Sequence, residues 1–104
     1  MDEQQNITDI KVQILINELI QITSELDIVE ASLLVKLNEE DEQAQSVFDE
    51  AIIAATNKYR AVGEMIFHIG GNALMSDCIY RISNSNGAHS VINFAWSGIG
   101  NWQS

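Results

Sequence analysis

The chain has 104 residues, with fifteen acidic and five basic side chains and a formal charge of −10. That size fits one domain. With so few cations, phosphate-rich partners such as nucleic acid and anionic membrane are disfavoured, because their recognition needs clustered Lys or Arg. Cys78 is the only cysteine, so no internal disulfide can form.

No basic region precedes an apolar stretch at the start, so no standard secretory signal is read. The longest unbroken apolar run, Ala51 to Ala55, is far short of the roughly 20 residues that span a bilayer. A cytoplasmic protein is expected. The chain lacks proline, and its first glycine is Gly63, so its first sixty residues contain neither strong helix breaker.

Val12, Leu15, Leu19, Ile22, Leu26, Val29 and Leu33 recur at steps of three and four. This heptad seam predicts one long helix over 7–37. Ser24 with Asp27 has capping spacing and offers a point where that helix could divide. Seventeen of these 31 residues are apolar, more than one seam uses. Ile10, Ile14, Ile16, Ile20, Ile28, Leu34, Val35 and Leu37 all lie outside it. The helix therefore needs more than one neighbour, supplied by the rest of the chain or by a second copy.

Asn38-Glu39-Glu40-Asp41-Glu42 carries no apolar residue and reads as a connection. A second helix over 42–69 follows, with Ala44, Phe48, Ala51, Ala55, Tyr59, Val62, Ile66 and Ile69 on one stripe. Gly70-Gly71 reads as its stop. Two long helices joined by a short loop should lie antiparallel.

Composition changes after Gly71, since fourteen of the fifteen acids precede it and both tryptophans follow it. Asp77 to Ser83 and Ser90 to Trp96 flank Asn86-Gly87, which predicts a β-hairpin over 77–96 with a tail over 97–104. A three-residue loop, Ser85 to Gly87, places Cys78, Tyr80 and Ile82 on one face with Ile92, Phe94 and Trp96. The competing reading makes Ala73 to Ile82 a third helix. The expected fold is thus a mainly α, α+β domain: an antiparallel long-helix hairpin with a small C-terminal β-hairpin docked on it.

Chemistry is sparse. His68, Cys78 and His89 show no zinc-type spacing, and the predicted hairpin places Cys78 and His89 on opposite faces, so no metal, cofactor or catalytic residue is assigned. Glu39, Glu40, Asp41, Glu42, Asp49 and Glu50 form the densest acidic group and are the candidate contacts for a basic protein partner. Trp96 and Trp102 are candidate anchors, in the core or on a partner. Trp96-Ser97-Gly98 spells W-x-G, which the W-x-G family of secreted helical hairpins carries between its helices. Here it follows the predicted β-hairpin, and no family is assigned.

The leading expectation is a non-enzymatic protein–protein interaction module, such as an adaptor, inhibitor or immunity-type protein, that forms a homo-oligomer through its helices. The alternative rests on Gly70-Gly71. Precursors of exported ribosomal peptides have acidic helical leaders ending in Gly-Gly, and Glu64, Met65, Gly70 and Gly71 resemble such an end. That resemblance implies a leader over 1–71 and a core peptide over 72–104.

Overall fold

A computed structural model describes residues 3–38, 43–84 and 87–103. Three helices follow one another: α1 (Glu3–Asn38), α2 (Ala44–Tyr80) and α3 (Ala88–Trp96). The 36 residues of α1 extend about 54 Å at the usual helical rise. No glycine or proline interrupts α1, and no break occurs at Ser24.

The heptad seam of α1 faces inward. Leu15, Leu19, Ile22 and Leu33 are buried, and Val12 and Leu26 pack at the edge of the same core. The stripe predicted for the second helix meets them, with Ala55, Tyr59, Val62 and Ile66 buried. Thr23 is bonded to Tyr59 and Glu25 is paired with Lys58, while Thr8 and Asp9 lie beside Gly70 and Asp77. Residue numbers thus rise along α1 as they fall along α2, which makes the pair antiparallel.

Gly70-Gly71 does not end the helix. The backbone leaves helical geometry at Gly71 alone, with φ 72° and ψ −166°, and resumes at once. That region of φ/ψ space is essentially restricted to glycine. Thus α2 has two arms joined by one residue, and the second arm runs to Tyr80.

The predicted β-hairpin over 77–96 is absent; no strand occurs among the described residues. Asp77 to Tyr80 finish α2, and Ser90 to Trp96 belong to α3. The reason is periodicity. Met75, Cys78, Ile79 and Ile82 are all buried, and so are Ala88, Ile92, Ala95, Trp96 and Ile99. Those spacings form two helical stripes. The alternation of Cys78, Tyr80 and Ile82 was too short to decide the matter, and Tyr80 in fact projects into solvent. The alternative third helix over 73–82 is close to the second arm of α2.

Gly87 is left-handed, with φ 75°, but it opens α3 rather than closing a strand turn. Asn86, the other half of the turn signal, lies outside the described residues. The Asn84 side chain accepts a 2.9 Å bond from the His89 backbone N–H, satisfying a donor in the first turn of α3. His89 Nε2 lies 2.6 Å from the Ile82 carbonyl and ties the same loop.

The third helix packs on α2. Gly63 makes this possible. A Cβ there would lie 2.3 Å from Trp96 Nε1 and 2.5 Å from Cδ1, so only glycine lets the indole rest on the helix backbone. We expect Gly63→Ala to destabilise the fold by about 1–3 kcal/mol, since a rigid ring must move. Gly71→Ala should cost a similar ~1–3 kcal/mol for a different reason, backbone strain in open space. Urea unfolding of both variants checks this. A separate near-UV circular dichroism spectrum at neutral pH should show the environment of Trp96 altered in Gly63→Ala.

Candidate functional site

A chain of polar contacts links the middle of α1 and α2 to the C-terminal end of α3. Thr23 Oγ1 bonds the Leu19 carbonyl at 2.8 Å and the Tyr59 hydroxyl at 2.7 Å. Trp96 Nε1 donates to the Tyr59 carbonyl at 2.7 Å. Arg60 Nη1 donates to the carbonyls of Ala95 and Ser97, at 3.0 and 2.9 Å, where α3 ends. A cation at a helix C-terminus is favoured by the orphan carbonyls and the helix dipole.

Residues 97–102, after α3, form a hydrogen-bonded turn. Gly98 N–H donates to the Trp102 carbonyl, and Trp102 N–H to the Ile99 carbonyl, both at 3.0 Å. Asn72, immediately after the break in α2, clamps this turn. Its Nδ2 donates to the Ile99 carbonyl at 3.0 Å, and its Oδ1 accepts from Asn101 N–H at 2.8 Å. Gly100, with φ 57°, approaches Phe67 and Asn72 too closely for any Cβ.

The sequence-predicted site residues are dispersed. Glu39, Glu40, Asp41 and Glu42 lie outside the described residues. Asp49 and Glu50 are exposed early in α2. Trp96 is fully buried and serves the core. Trp102 is half-buried, with its ring edge-on to Trp96 at 5.1 Å. Its Nε1–H is buried with no hydrogen-bond partner among the described residues.

Among the described residues no cluster of three or more His, Cys, Asp or Glu is placed to hold a metal ion. Cys78 is buried, and burial pushes its thiol pKa up. That disfavours the reactive thiolate. Grooves open between α1 and α2 among the described residues. One, of about 610 Å³, is lined by Asp9, Gln13, Gly70, Asp77 and Arg81. Another, of about 400 Å³, has Leu15, Ile69, Ile14 and Met65 as walls, with Lys11 and His68 among them.

The feature that sequence reasoning left unresolved is the outer side of α1. Ile7, Ile10, Ile14, Ile20, Ile28, Leu34 and Val35 are exposed, Ile28 to 68%. Of the surplus apolar residues counted from the sequence, only Ile16 is described as buried. Val47, Ile53, Met65, Tyr80 and Phe94 add exposed apolar area elsewhere. Single exposed apolar residues are ordinary on a protein surface; a row along one helix is not. No helix among the described residues is long and apolar enough to cross a membrane.

No protein-family model matches the chain, and no curated protein or solved structure is significantly similar to it.

Burial pushes the Tyr59 phenol above its ordinary pKa. Tyr59 and Cys78 are both stabilised in their neutral forms when folded. A group with a raised folded pKa contributes stability that is full below its unfolded pKa and is lost as pH rises through the folded value. Thermal stability should therefore hold through neutrality and fall in alkali, from roughly pH 8.5 for the thiol and roughly pH 10 for the phenol. Tyr59→Phe should cost about 1 kcal/mol at pH 7 and flatten the decline above pH 10. Melting curves between pH 7 and 11 measure both effects. Asn72→Ala should leave the helices intact and speed amide exchange at Asn101, which loses its acceptor.

Proposed function

We propose that this chain is a non-enzymatic protein–protein interaction module, an adaptor, inhibitor or immunity-type protein acting in the cytoplasm. The supporting observation is the row of exposed isoleucines on α1. A helix already packed by α2 has no internal need for apolar residues on its far side. Such a row is costly in water and is accounted for by another surface that covers it.

The acidity of the chain gives the reading its chemistry. A partner with a basic rim would gain from Asp49, Glu50 and the acids at 39–42. Rim charges of this kind steer encounter and set salt dependence more than they set affinity. Association of the chain with itself through its helices belongs to the same reading.

Residues 72–103 weigh against a precursor divided at Gly71. They supply Met75, Ile92, Trp96 and Ile99 to the core that Leu19 and Ile66 also form. Removing that segment would uncover Gly63 and the middle of α2.

The test uses the tagged full chain and its Ile10→Glu/Ile28→Glu variant, with pull-down and mass spectrometry. Proteins held by the parent chain and lost by the variant are the expected result. Charge reversal of Glu39, Glu40, Asp41 and Glu42 to Lys should weaken capture and flatten its dependence on salt. If the parent chain retains neither itself nor any other protein above a helical control, the interaction reading is wrong.

A further inference from the structure

Resting on that reading, we propose that the outer face of α1 is the seam of a homodimer, in which α1 packs antiparallel against α1 of a second copy. The seam is Ile7, Ile10, Ile14, Asn17, Gln21, Ser24, Ile28, Ala31 and Val35. These nine residues step by three and four, and every one is exposed. They repeat the spacing of the inner seam on the opposite side of the helix. The inner seam already has α2; among the described residues the outer one has no occupant.

The pattern of the outer seam selects a second copy. Its apolar residues lie at the two ends, and its polar residues, Asn17, Gln21 and Ser24, lie in the middle. Pair the helices antiparallel about a two-fold axis level with Leu19. Ile10 then meets Ile28 of the second copy, and Ile7 meets its Ala31. Asn17 meets Gln21. Of these four paired layers only Ile14 against Ser24 is mixed; Val35 lies beyond them, level with Glu3 of the second copy. Each contact occurs twice, as an isologous interface requires.

The central amides are set for this pairing. Asn17 Oδ1 is already occupied by Gln13 Nε2 at 3.0 Å, which leaves the Asn17 amide protons to donate. Gln21 Nε2 is directed to Glu25 at 3.4 Å, which leaves Gln21 Oε1 to accept. Asn17 can donate to Gln21 of the second copy, and the reverse contact follows by symmetry.

The flanks agree. On one side Lys11 falls opposite Glu25 of the second copy, twice, as a second cation beside the Lys58 that already pairs with that carboxylate. On the other, Ile20 meets its own symmetry mate, burying an exposed side chain. The one opposing contact is Glu18 against Glu18 at the two-fold axis. A parallel, in-register dimer has neither ion pair and sets Ile20 beside Glu25. A basic helix from another protein would favour Glu18 and Glu25 but oppose Lys11, and nothing fixes an amide opposite Asn17.

The area is adequate. Ile7, Ile10, Ile14, Ile20 and Ile28, at roughly 100 Å² each, supply over half of the ~800 Å² per partner of a standard interface, and the polar flanks add the rest.

Sedimentation equilibrium of the full chain tests the stoichiometry. A dimer is expected at roughly 100 µM, in keeping with an interface of this size. Ile10→Glu/Ile28→Glu should be monomeric with an unchanged far-UV spectrum, since both positions are exposed. Lys11→Glu should weaken the dimer by about two- to tenfold, and Glu18→Gln should tighten it. Ile53→Glu, exposed on α2, should have no effect.

Disulfide trapping in a Cys78→Ala background fixes the orientation. Ile10→Cys mixed with Ile28→Cys should cross-link between the two species, while Ile10→Cys alone should not. A monomeric parent chain overturns the homodimer. If the double-Glu variant still loses captured proteins, the interaction reading survives with a different occupant. A dimer untouched by the double-Glu variant, or one trapped by Ile10→Cys alone, overturns the antiparallel seam.

Discussion

Trp96 against Gly63 is the contact on which the three-helix arrangement depends. Where Gly63 lacks a side chain, the indole lies on the backbone of α2 and donates to the carbonyl of Tyr59. The Tyr59 hydroxyl reaches across to Thr23 on α1. One fully buried aromatic residue therefore connects the last helix to the first through two bonds. A buried indole N–H or phenol left without a partner costs about 1–3 kcal/mol. Satisfying both at one level fixes how far each helix can slide along its neighbour. Arg60, one residue from Tyr59, then holds the end of α3 by its carbonyls.

The break at Gly71 belongs to the same arrangement. It places Asn72 against the turn that follows α3, and that turn carries Ile99 into the core and Trp102 against Trp96. Three glycines serve this corner by different means. Gly63 gives room, Gly71 gives a backbone conformation other residues avoid, and Gly100 gives both. A corner built on glycine backbone and amide hydrogen bonds needs little apolar mass. That suits a chain whose smallest helix has nine residues.

Much of this was legible in the sequence. The inner seam of α1 and the stripe of α2 have a period that no strand can satisfy, and the structure buries the middle of each. The C-terminal third was misread because its local signals conflict. Asn86-Gly87 has the composition of a hairpin turn, and Cys78, Tyr80 and Ile82 alternate. The decisive signal was longer in range: Met75, Cys78, Ile79 and Ile82 form a helical stripe only when Met75 is included. Gly63 was the other missed clue. An isolated glycine within a helical pattern points to close packing, but which side chain fills the gap is a tertiary fact. The candidate surface was half legible. The excess of apolar residues on α1 was countable, whereas their division between α2 and solvent needed coordinates.

Two seams back to back on one helix constrain each other. The inner seam is apolar almost throughout, and packing with α2 sets its register once the chain folds. An outer seam equally apolar would make α1 greasy on both sides, with no means of choosing among partners or registers. Asn17, Gln21 and Ser24 interrupt it midway. Polar residues within a helical seam lower its affinity and narrow its choice, because they must meet groups that satisfy them. The high negative charge also restrains association, because it opposes contact between any two copies. Both features restrain an apolar surface, and restraint of that kind has a physical use only if the surface meets a particular partner.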